Sequence, residues 1–441
     1  MGKDSLNFDQ FQELRAGIFG RKDVLMIGVD AAKRKHMACF CGPSRKVLVR
    51  GYTILNSRSG FEKFRDTITE TKQAYGFKEV LVALESTGFY QRPLEEFLSA
   101  FGCQVVLVSN LASARNRQTI ELSWDKSDTK DSEAIADLVM QGKFLYHAPR
   151  DDHRETVRRL LRHRRRLVRE RSRCLIRIRN TILPVIFPEL EDCFARLDQP
   201  LALRLLEQCP FPDEIQEQSL DDFLDGFRGL RGPFPRKKLA QIYDLAATSI
   251  GTPKGREGYR TMLRHFIEDI RKLEGRINDM ERQIRELYRG ESSFDHLQSI
   301  PGVGALIAAI LLAEVGSIAN YRSAKQLIKF AGLNVIGKQS GEYQSIRVIS
   351  KMGNSLIRSA VYQAAIAAAR SNSPLGRWYK LRSAESGKRP KKLLVALAAK
   401  ILRIAFRIMK EGGVYQENYD RLLRIKQCHR ELTAKGNKKT A

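Results

Sequence analysis

Four carboxylates occupy positions in the sequence that could support metal-dependent chemistry. Asp30 and Glu85 each end a short apolar run, VLMIGVD and LVALE, and such runs are typical of buried strands. Asp128 and Asp131 stand three residues apart where an apolar helical pattern begins, a spacing that places both on one helix face. Four converging carboxylates would form an all-oxygen site suited to Mg²⁺ or Mn²⁺. Such a site could polarise a scissile phosphate and stabilise the departing oxygen.

Each of these acids also has a purely structural interpretation. An aspartate at a helix start with a second acid three residues later is a capping signature, and segment 126–139 taken alone favours that interpretation. Asp30 could cap the turn into Ala31, and Glu85 could pair with an arginine. However, acids at the ends of two buried strands are rarely needed for packing, because ionised carboxylates are costly unless they are paired or bind a cation. The metal site explains all four together.

The elements that must position these acids alternate between strands and helices. The first apolar run continues into a meander of two more strands. A helix over 61–75, the strand that ends in Glu85, another helix, a strand over 103–109 and a last helix follow. This order predicts a mixed α/β domain over residues 1–150.

Other residues of this region are expected to be less important. We expect His36 to be an exposed hairpin residue rather than a ligand, and Asp125 and Asp137 to be solvated. Phe89 and Tyr90 follow Glu85 closely, which suggests aromatic rings that pack beside the site or stack on a base.

The charge balance indicates a polyanionic partner. There are 77 lysines and arginines against 50 aspartates and glutamates, a net charge of +27, and nucleic acid is the first partner this suggests. A membrane surface is disfavoured, since no apolar run reaches the roughly 20 residues that span a bilayer and no signal-peptide layout is present. The seven scattered cysteines indicate neither a disulfide framework nor a zinc site. We expect a cytoplasmic, nucleoid-associated protein.

The middle region, 151–290, begins with a strongly basic segment. Residues 154–182 repeat apolar residues every seven positions, which predicts a long helix with a narrow apolar seam. Arginines far outnumber acids there, so phosphate contact is favoured over a merely solvated face, and arginine suits folded RNA. The candidate nucleic-acid-binding residues on this helix are Arg158, Arg162, Arg165, Arg166, Arg169 and Arg173.

A second long helix is predicted near the end of the middle region. Its apolar residues alternate spacings of three and four over about four heptads, which suits a coiled coil. The partner could be the basic helix, in an antiparallel pair, or a second protomer. The proline-rich stretch 184–255 between the two helices predicts a small helical insert. The seam residues are Leu263, Phe266, Ile270, Leu273, Ile277, Met280, Ile284 and Leu287.

The last region, 291–441, is predicted to be all-helical. It begins with IPGVG, a turn that could offer backbone N–H groups to a phosphate, although close helix packing explains the glycines almost as well. Ser340 follows in the polar stretch GKQSGEYQS. Composition alone assigns it no role, because loop serines are usually structural or inert.

Segments of the first and last regions resemble one protein family. VDAAKRKH, ALESTGFY and KSDTKDSEAIA are similar to the DEDD domain of the IS110 family of insertion-sequence transposases, which has an RNase H-like fold of the RuvC type. IPGVG, FAGLN, QSG and ISKMGNSLIRSA resemble, in order and spacing, the C-terminal transposase domain of that family. The resemblance implies a metal-binding tetrad and a nucleophilic serine. By this resemblance the metal-binding residues are Asp30, Glu85, Asp128 and Asp131, and the nucleophile is Ser340.

The resemblance further implies DNA transposition by site-specific strand exchange. A serine can attack a phosphodiester and leave a covalent phosphoserine link that conserves bond energy for rejoining. Mg²⁺ or Mn²⁺, with cations such as Arg347 and Lys351, would neutralise the phosphate. Two departures from the family pattern, the missing proline after AGL and Glu342, leave Ser345 and Ser350 open as alternative nucleophiles.

The implied partners are donor and target DNA and a structured noncoding guide, the bridge RNA, which pairs with both. Strand exchange between two duplexes needs several active sites, so a homodimer or homotetramer is expected. Because the acids and the serine lie on separate domains, one protomer's tetrad could work with another's serine.

Two other functions remain open. A RuvC-like metal-dependent nuclease of the junction-resolving kind would use the same four acids with water in place of Ser340. A non-enzymatic nucleic-acid-binding protein would use the acids only as helix caps and ion-pair partners.

Overall fold

The chain divides into two compact units, Met1–Arg150 and Asp151–Ala441. The computed structural model describes residues 8–85, 88–121, 127–145, 151–229, 233–252, 254–337, 339–340, 343–344, 348–386 and 390–416. Whether the second unit divides further near residue 290 stays a prediction.

The first unit is built around one five-stranded sheet with the order β3-β2-β1-β4-β5. Strands β1, β2 and β3 form an antiparallel meander, and β4 and β5 run parallel to β1. This arrangement confirms the predicted mixed α/β class and the order of the five strands, while a helix before the first strand and a second helix after the last were not predicted. The strands are β1 Val24–Asp30, β2 Lys35–Cys41, β3 Val47–Leu55, β4 Glu79–Glu85 and β5 Gln104–Val108. The helices are α1 Phe8–Gly17, α2 Arg58–Ala74, α3 Arg92–Ala100, α4 Asn110–Glu121 and α5 Asp128–Met140.

Two apolar cores lie on opposite faces of this sheet. On one face, the odd-numbered residues of β1 pack against apolar side chains of α2 and α3. On the other, Met26 of β1 and Leu81 of β4 pack with Ile135 and Leu138 of α5. Because successive side chains of a strand point to opposite faces, Asp30 lies on the α5 side of the sheet.

Gly28 lets α5 lie directly on β1. A Cβ atom at Gly28 would come within 2.3 Å of the carbonyl oxygen of Ser132 and 2.4 Å of the backbone nitrogen of Ala136. Any other residue would push the helix away from the sheet. The glycine therefore brings the first turns of α5 against the strand that ends in Asp30.

The second unit is mainly helical. Helices α6 to α12 are Asp152–Arg177, Leu183–Ile186, Leu190–Cys193, Pro200–Gln208, Pro212–Gln216, Leu220–Asp225 and Arg236–Ala247, with a π-helical turn at Ile178–Ile182. Helices α13 to α19 are Arg256–Leu287, Ser292–Gln298, Ala305–Val315, Ala324–Phe330, Ser355–Arg370, Pro374–Ser386 and Pro390–Glu411. Strands β6 to β9 are Val335–Ile336, Gln339–Ser340, Tyr343–Gln344 and Val348–Ile349.

The two long helices, α6 and α13, pair antiparallel within the chain. Arg164 bonds Glu281 at 2.7 Å, and seven residues further along α6 Arg171 bonds Glu274, seven residues earlier in α13, at 3.1 Å. The sequence left open whether α13 pairs with the basic helix or with a second protomer. The structure shows the first arrangement, in which α13 pairs with α6 of the same chain. Supercoiling of the pair stays a prediction.

Most residues of the apolar seam predicted for α13 are buried in the structure. Five of its residues are buried, Phe266 and Met280 are partly buried, and Leu287, at the helix end, is 38 % exposed. The short helices of the insert pack against this face and the second half of α6 in one apolar core. The buried seam residues are Leu263, Ile270, Leu273, Ile277 and Ile284.

The prediction of an all-helical last region needs correction. Two-residue strands form two antiparallel ladders, β6 with β9 and β7 with β8, inside the stretch read from its composition as a loop. The β-branched and aromatic residues at Val335, Tyr343 and Val348 favour extended backbone there.

The PGVG turn owes at least one of its glycines to packing. Gly302 has a left-handed φ of +88°, and a Cβ there would lie 2.3 Å from the carbonyl oxygen of Ala364 in α17. This contact supports the close-packing interpretation of the turn. Among the described residues, none of the helices combines the length and apolar character needed to cross a membrane.

Candidate active site

The two strand-tip acids lie side by side at one edge of the sheet. In the parallel register Val29 pairs with Leu84, so Asp30 and Glu85 are the next residues of their strands. Neighbouring strands are about 4.8 Å apart, and paired positions point to the same face, which here is the α5 side. Both acids are partly buried. The sheet therefore brings these two carboxylates together.

The aspartate pair lies in the first turns of α5, but it does not cap the helix. Ser127 is the N-cap, and its hydroxyl accepts a hydrogen bond from the backbone N–H of Lys130 at 3.3 Å. Asp128 is the first helical residue and is exposed, whereas Asp131, one turn later, is only 5 % exposed. The interpretation of Asp128 and Asp131 as side-chain caps of the helix is therefore wrong, because Ser127 provides the side-chain cap.

Asp131 has a partner that the sequence did not reveal. The guanidinium of Arg117, from α4, forms an ion pair with its carboxylate, and both side chains are largely buried. Beside this pair, Asn116 donates to the carbonyl oxygen of Ala134 and to the carboxylate of Asp137, each at 2.9 Å. Arg117 lies in a polar helix with no distinctive spacing, so no signal in the sequence marked it.

The chemistry of the four acids fits a hard divalent cation, because every donor is a carboxylate oxygen. The ion pair with Arg117 shows in addition that the carboxylate of Asp131 already has a positively charged partner. No group of three or more acidic, histidine or cysteine side chains within the described part of the chain is already gathered around a common metal position. The four carboxylates are suitable ligands for such a cation, but in the described structure they do not surround one metal position.

Two expectations for neighbouring residues are wrong. His36 is fully buried rather than exposed, because β2 is an inner strand of the sheet; its Nδ1 accepts from the N–H of Ala32 at 3.2 Å, and burial lowers its pKa. Asp137 is buried rather than solvated and pairs with Arg45 at 2.8 Å. Asp125 lies outside the described residues. Phe89 and Tyr90 are about half exposed, at 51 % and 46 %.

The arginines of α6 separate into two groups. Arg158 and Arg162 both donate to one oxygen of Glu314, at 3.2 and 3.3 Å, and Asn354 donates to the other at 2.6 Å. Burial alone would raise the pKa of Glu314, but the two arginines, together with the hydrogen bond from Asn354, hold the pKa below its usual value. At least part of the role predicted for Arg158 and Arg162 is therefore structural.

Arg165 is also engaged, since it donates to the hydroxyl of Ser355 at 3.0 Å. Burial lowers its pKa, and repulsion from nearby arginines, including Arg169, lowers it further. In contrast, Arg166, Arg169 and Arg173 are exposed and form no ion pair with any described residue. Of the six predicted nucleic-acid-binding arginines on α6, these three are exposed and have no acidic partner in the described structure.

Ser340 ends β7 and pairs with Tyr343 of β8 in a two-residue antiparallel ladder. Only its backbone is described. Ser345 and Arg347 lie outside the described residues. Ser350 donates to the side-chain oxygen of Asn334 at 2.6 Å. Lys351 is exposed and has a left-handed φ of +55°.

Glu314 is the most deeply buried acid among the described residues, with 1 % exposure. It is a single acid in the otherwise apolar helix ALIAAILLAEV. That contrast is a usable signal, because an ionised carboxylate in an apolar helix must find cationic or hydrogen-bonding partners. Its partners could not be named from the sequence.

Comparison with known families decides the identity. The model of the DEDD domain of IS110 transposases matches residues 27–188, and the model described as Transposase IS116/IS110/IS902 family matches residues 295–380. The chain belongs to the IS110 family of transposases. The resemblance drawn from the sequence motifs is therefore confirmed, together with a RuvC-like DEDD domain and the enzyme class of transposase.

Individual relatives of this IS110-family chain agree. It is 25 % identical over 405 residues, 90 % of this chain and 97 % of the relative, to an uncharacterised 44.8 kDa protein of insertion element IS116 from Streptomyces clavuligerus. It is 24 % identical over 345 residues, 78 % of each chain, to the transposase for insertion sequence element IS1111A from Coxiella burnetii. A pilin gene-inverting protein from Moraxella bovis is 27 % identical over 155 residues, 34 % of this chain and 48 % of the relative.

Proposed function

We propose that this transposase cleaves and exchanges DNA strands through a phosphoserine intermediate on Ser340, assisted by a divalent metal ion at Asp30, Glu85, Asp128 and Asp131. The observation that carries the proposal is that Asp30 and Glu85 end adjacent strands on the face of the sheet that is covered by α5, the helix that bears Asp128 and Asp131. Asp30 and Glu85 end adjacent strands, and Gly28 holds the first turns of α5 against the first of them. Such a cluster has little use in packing and suits a cation.

In the proposed reaction the Oγ of Ser340 attacks phosphorus, and one strand oxygen leaves as a hydroxyl with the proton that balances its charge. The number of phosphoester bonds is unchanged. A hydroxyl from another strand can therefore attack the phosphoserine and restore both a phosphodiester and the free serine. Bound Mg²⁺ or Mn²⁺ would supply charge stabilisation at the phosphate. Lys351, exposed and close after Ser340 in the chain, could add a positive charge.

The exposed arginines of α6 are proposed to bind the backbone of a guide RNA. Arg166, Arg169 and Arg173 are spaced by three and four residues, which places them along one face of a helix. A row of guanidinium groups without acidic partners favours phosphate contact and stacking on bases. The same proposal includes donor and target DNA and a homodimer or homotetramer, since exchange involves two duplexes.

The proposal is tested by incubating purified protein with Mg²⁺, RNA transcribed from the DNA that flanks the gene, and a supercoiled plasmid that carries the element ends. Denaturing electrophoresis should reveal protein covalently joined to cleaved DNA. Ser340→Ala should remove both adduct and recombinant product, whereas Ser350→Ala, whose hydroxyl bonds Asn334, should retain the adduct. Asp30→Asn and Glu85→Gln should also prevent cleavage.

The alternatives predict different products. A junction-resolving nuclease would cleave with water and leave no adduct, with Ser340→Ala fully active. A non-enzymatic binding protein would leave the plasmid intact, and Asp30→Asn and Glu85→Gln would change nothing.

A further inference from the structure

Arg117 is the cation that the structure places on a candidate metal ligand. Its guanidinium forms an ion pair with Asp131, and the exposed fractions of the two side chains are 13 % and 7 %. The Nε of Arg117 is buried and has no hydrogen-bond partner among the described residues. A buried guanidinium with a donor left unsatisfied is not optimised for stability alone.

The other acids of α5 that face its neighbours have their own arginines. Glu133 pairs with Arg50 at 2.7 Å, and Asp137 pairs with Arg45 at 2.8 Å. These two arginines are mostly exposed, at 67 % and 62 %, in contrast to Arg117. Only the pair that involves a member of the proposed tetrad has both partners withdrawn from solvent.

The position of Asp131 makes this pairing consequential. Asp131 directly precedes Ser132, whose backbone lies against Gly28, and Gly28 is two residues from Asp30 on the same face of β1. A divalent ion shared by Asp30 and Asp131 would have to lie between α5 and the sheet, on the sheet-facing side of the Asp131 carboxylate. A guanidinium already on that carboxylate opposes a second cation by charge repulsion and by occupying one of its oxygens.

We propose that Arg117 holds the place of the metal ion on Asp131, so that metal binding requires its release. This inference rests on the proposed metal-dependent function. Release costs an ion pair that is largely withdrawn from water, so the wild-type site binds metal more weakly than its four carboxylates would otherwise allow. Release also leaves the positively charged side chain of Arg117 beside the site, where it can pair with a DNA phosphate.

The structure provides a way to remove Arg117 without detaching α4. Asn116 bonds both Ala134 and Asp137 of α5, so the contact between the two helices does not depend on Arg117 alone. Arg115, two residues earlier, is exposed and has no ion pair with any described residue. Arg115→Gln therefore matches Arg117→Gln in charge and in helix.

Binding of Mn²⁺ to the full-length protein, measured by electron paramagnetic resonance of the free ion, tests the inference without any use of activity. Arg117→Gln should bind Mn²⁺ about tenfold more tightly than the wild type. Arg115→Gln should leave the affinity unchanged, and Asp131→Asn should weaken it. Mn²⁺ should also raise the unfolding temperature of Arg117→Gln by more than that of the wild type.

Equal or weaker Mn²⁺ binding by folded Arg117→Gln, beside a wild type that binds, would overturn the role of Arg117 while leaving the metal site intact. Absence of Mn²⁺ binding in all variants would overturn the metal site itself, and with it this inference. If Arg117→Gln fails to fold, Arg117→Lys serves instead, because it keeps the charge but replaces the planar guanidinium by a more flexible ammonium group. It should tighten Mn²⁺ binding by a smaller factor, and unchanged binding would count against the proposal.

Discussion

Two buried carboxylates, one in each compact unit, are paired with arginine in different ways. Glu314 uses both oxygens, one for Arg158 and Arg162 and the other for Asn354. Asp131 has one arginine partner among the described residues, Arg117, and α5, which carries Asp131, covers the sheet face on which Asp30 lies. Burial and charge pairing are common to both, so neither feature identifies a functional acid.

The difference lies in what surrounds each acid. The partners of Glu314 come from α6 and from the N-cap of α17, so its carboxylate joins three helices and its charge is fully compensated. Asp131 instead lies in the first turns of α5, which Gly28 brings against the strand that ends in Asp30. Glu314 therefore stabilises the fold, whereas the proposed role of Asp131 is to bind a metal ion together with the strand-end acids.

The largest effect expected from this contrast is the loss of strand cleavage in Asp131→Asn. Removing one charged ligand should slow cleavage on the order of 10³-fold, because charge stabilisation in the transition state is lost. Initial rates on the plasmid substrate measure this. The matched control is Asp137→Asn, an acid six residues later on α5 that is also buried but pairs with Arg45. Equal losses in the two variants would remove the distinction between them.

The next effect is on stability. Glu314→Gln should lower the free energy of unfolding by about 3 kcal/mol, because Arg158, which is largely buried, would lose the charge that compensates its burial. Chemical denaturation followed by circular dichroism measures the change. Mn²⁺ affinity should be unaltered. A change in Mn²⁺ affinity without loss of stability would show that Glu314, too, has a role beyond the fold.

A smaller effect separates the two groups of arginines on α6. Each of Arg166→Gln, Arg169→Gln and Arg173→Gln should reduce the salt dependence of RNA binding by about one charge. Arg164→Gln, which instead breaks the pair with Glu281, should leave the salt dependence unchanged. Filter binding at several salt concentrations gives the slopes, and equal slopes for all four variants would contradict the division.

The smallest effect concerns His36, a third buried ionisable group. Because burial lowers its pKa below the usual 6.5, the unfolded chain binds a proton more readily than the folded one. The stabilising contribution of neutral His36 is therefore present above pH 6.5 and is lost as the pH falls through the lower, folded pKa. Thermal unfolding between pH 7.5 and 5.5 should show a weaker pH dependence in His36→Gln, and parallel curves would contradict this.

Local patterns predicted the elements that carry the candidate site. Asp30 and Glu85 could be placed at strand ends because an apolar run followed by an acid is a short-range signal. The α13 seam was readable for the same reason. Partners could not be read, since Arg117 and Asp131 are 14 residues apart and Arg158 and Glu314 are 156 apart. His36 was misjudged because the residues near it in sequence do not show that β2, the middle strand of the meander, presents this side chain to Phe61 of α2.

The most direct test of the central claim is to isolate the covalent protein–DNA adduct, digest it with protease and nuclease, and identify the modified residue by mass spectrometry. The account predicts a nucleotide attached through phosphate to the peptide that contains Ser340, and no such peptide from Asp131→Asn protein. Cleaved DNA with no nucleotide-bearing peptide would contradict it, as would a nucleotide attached to Ser345 or Ser350.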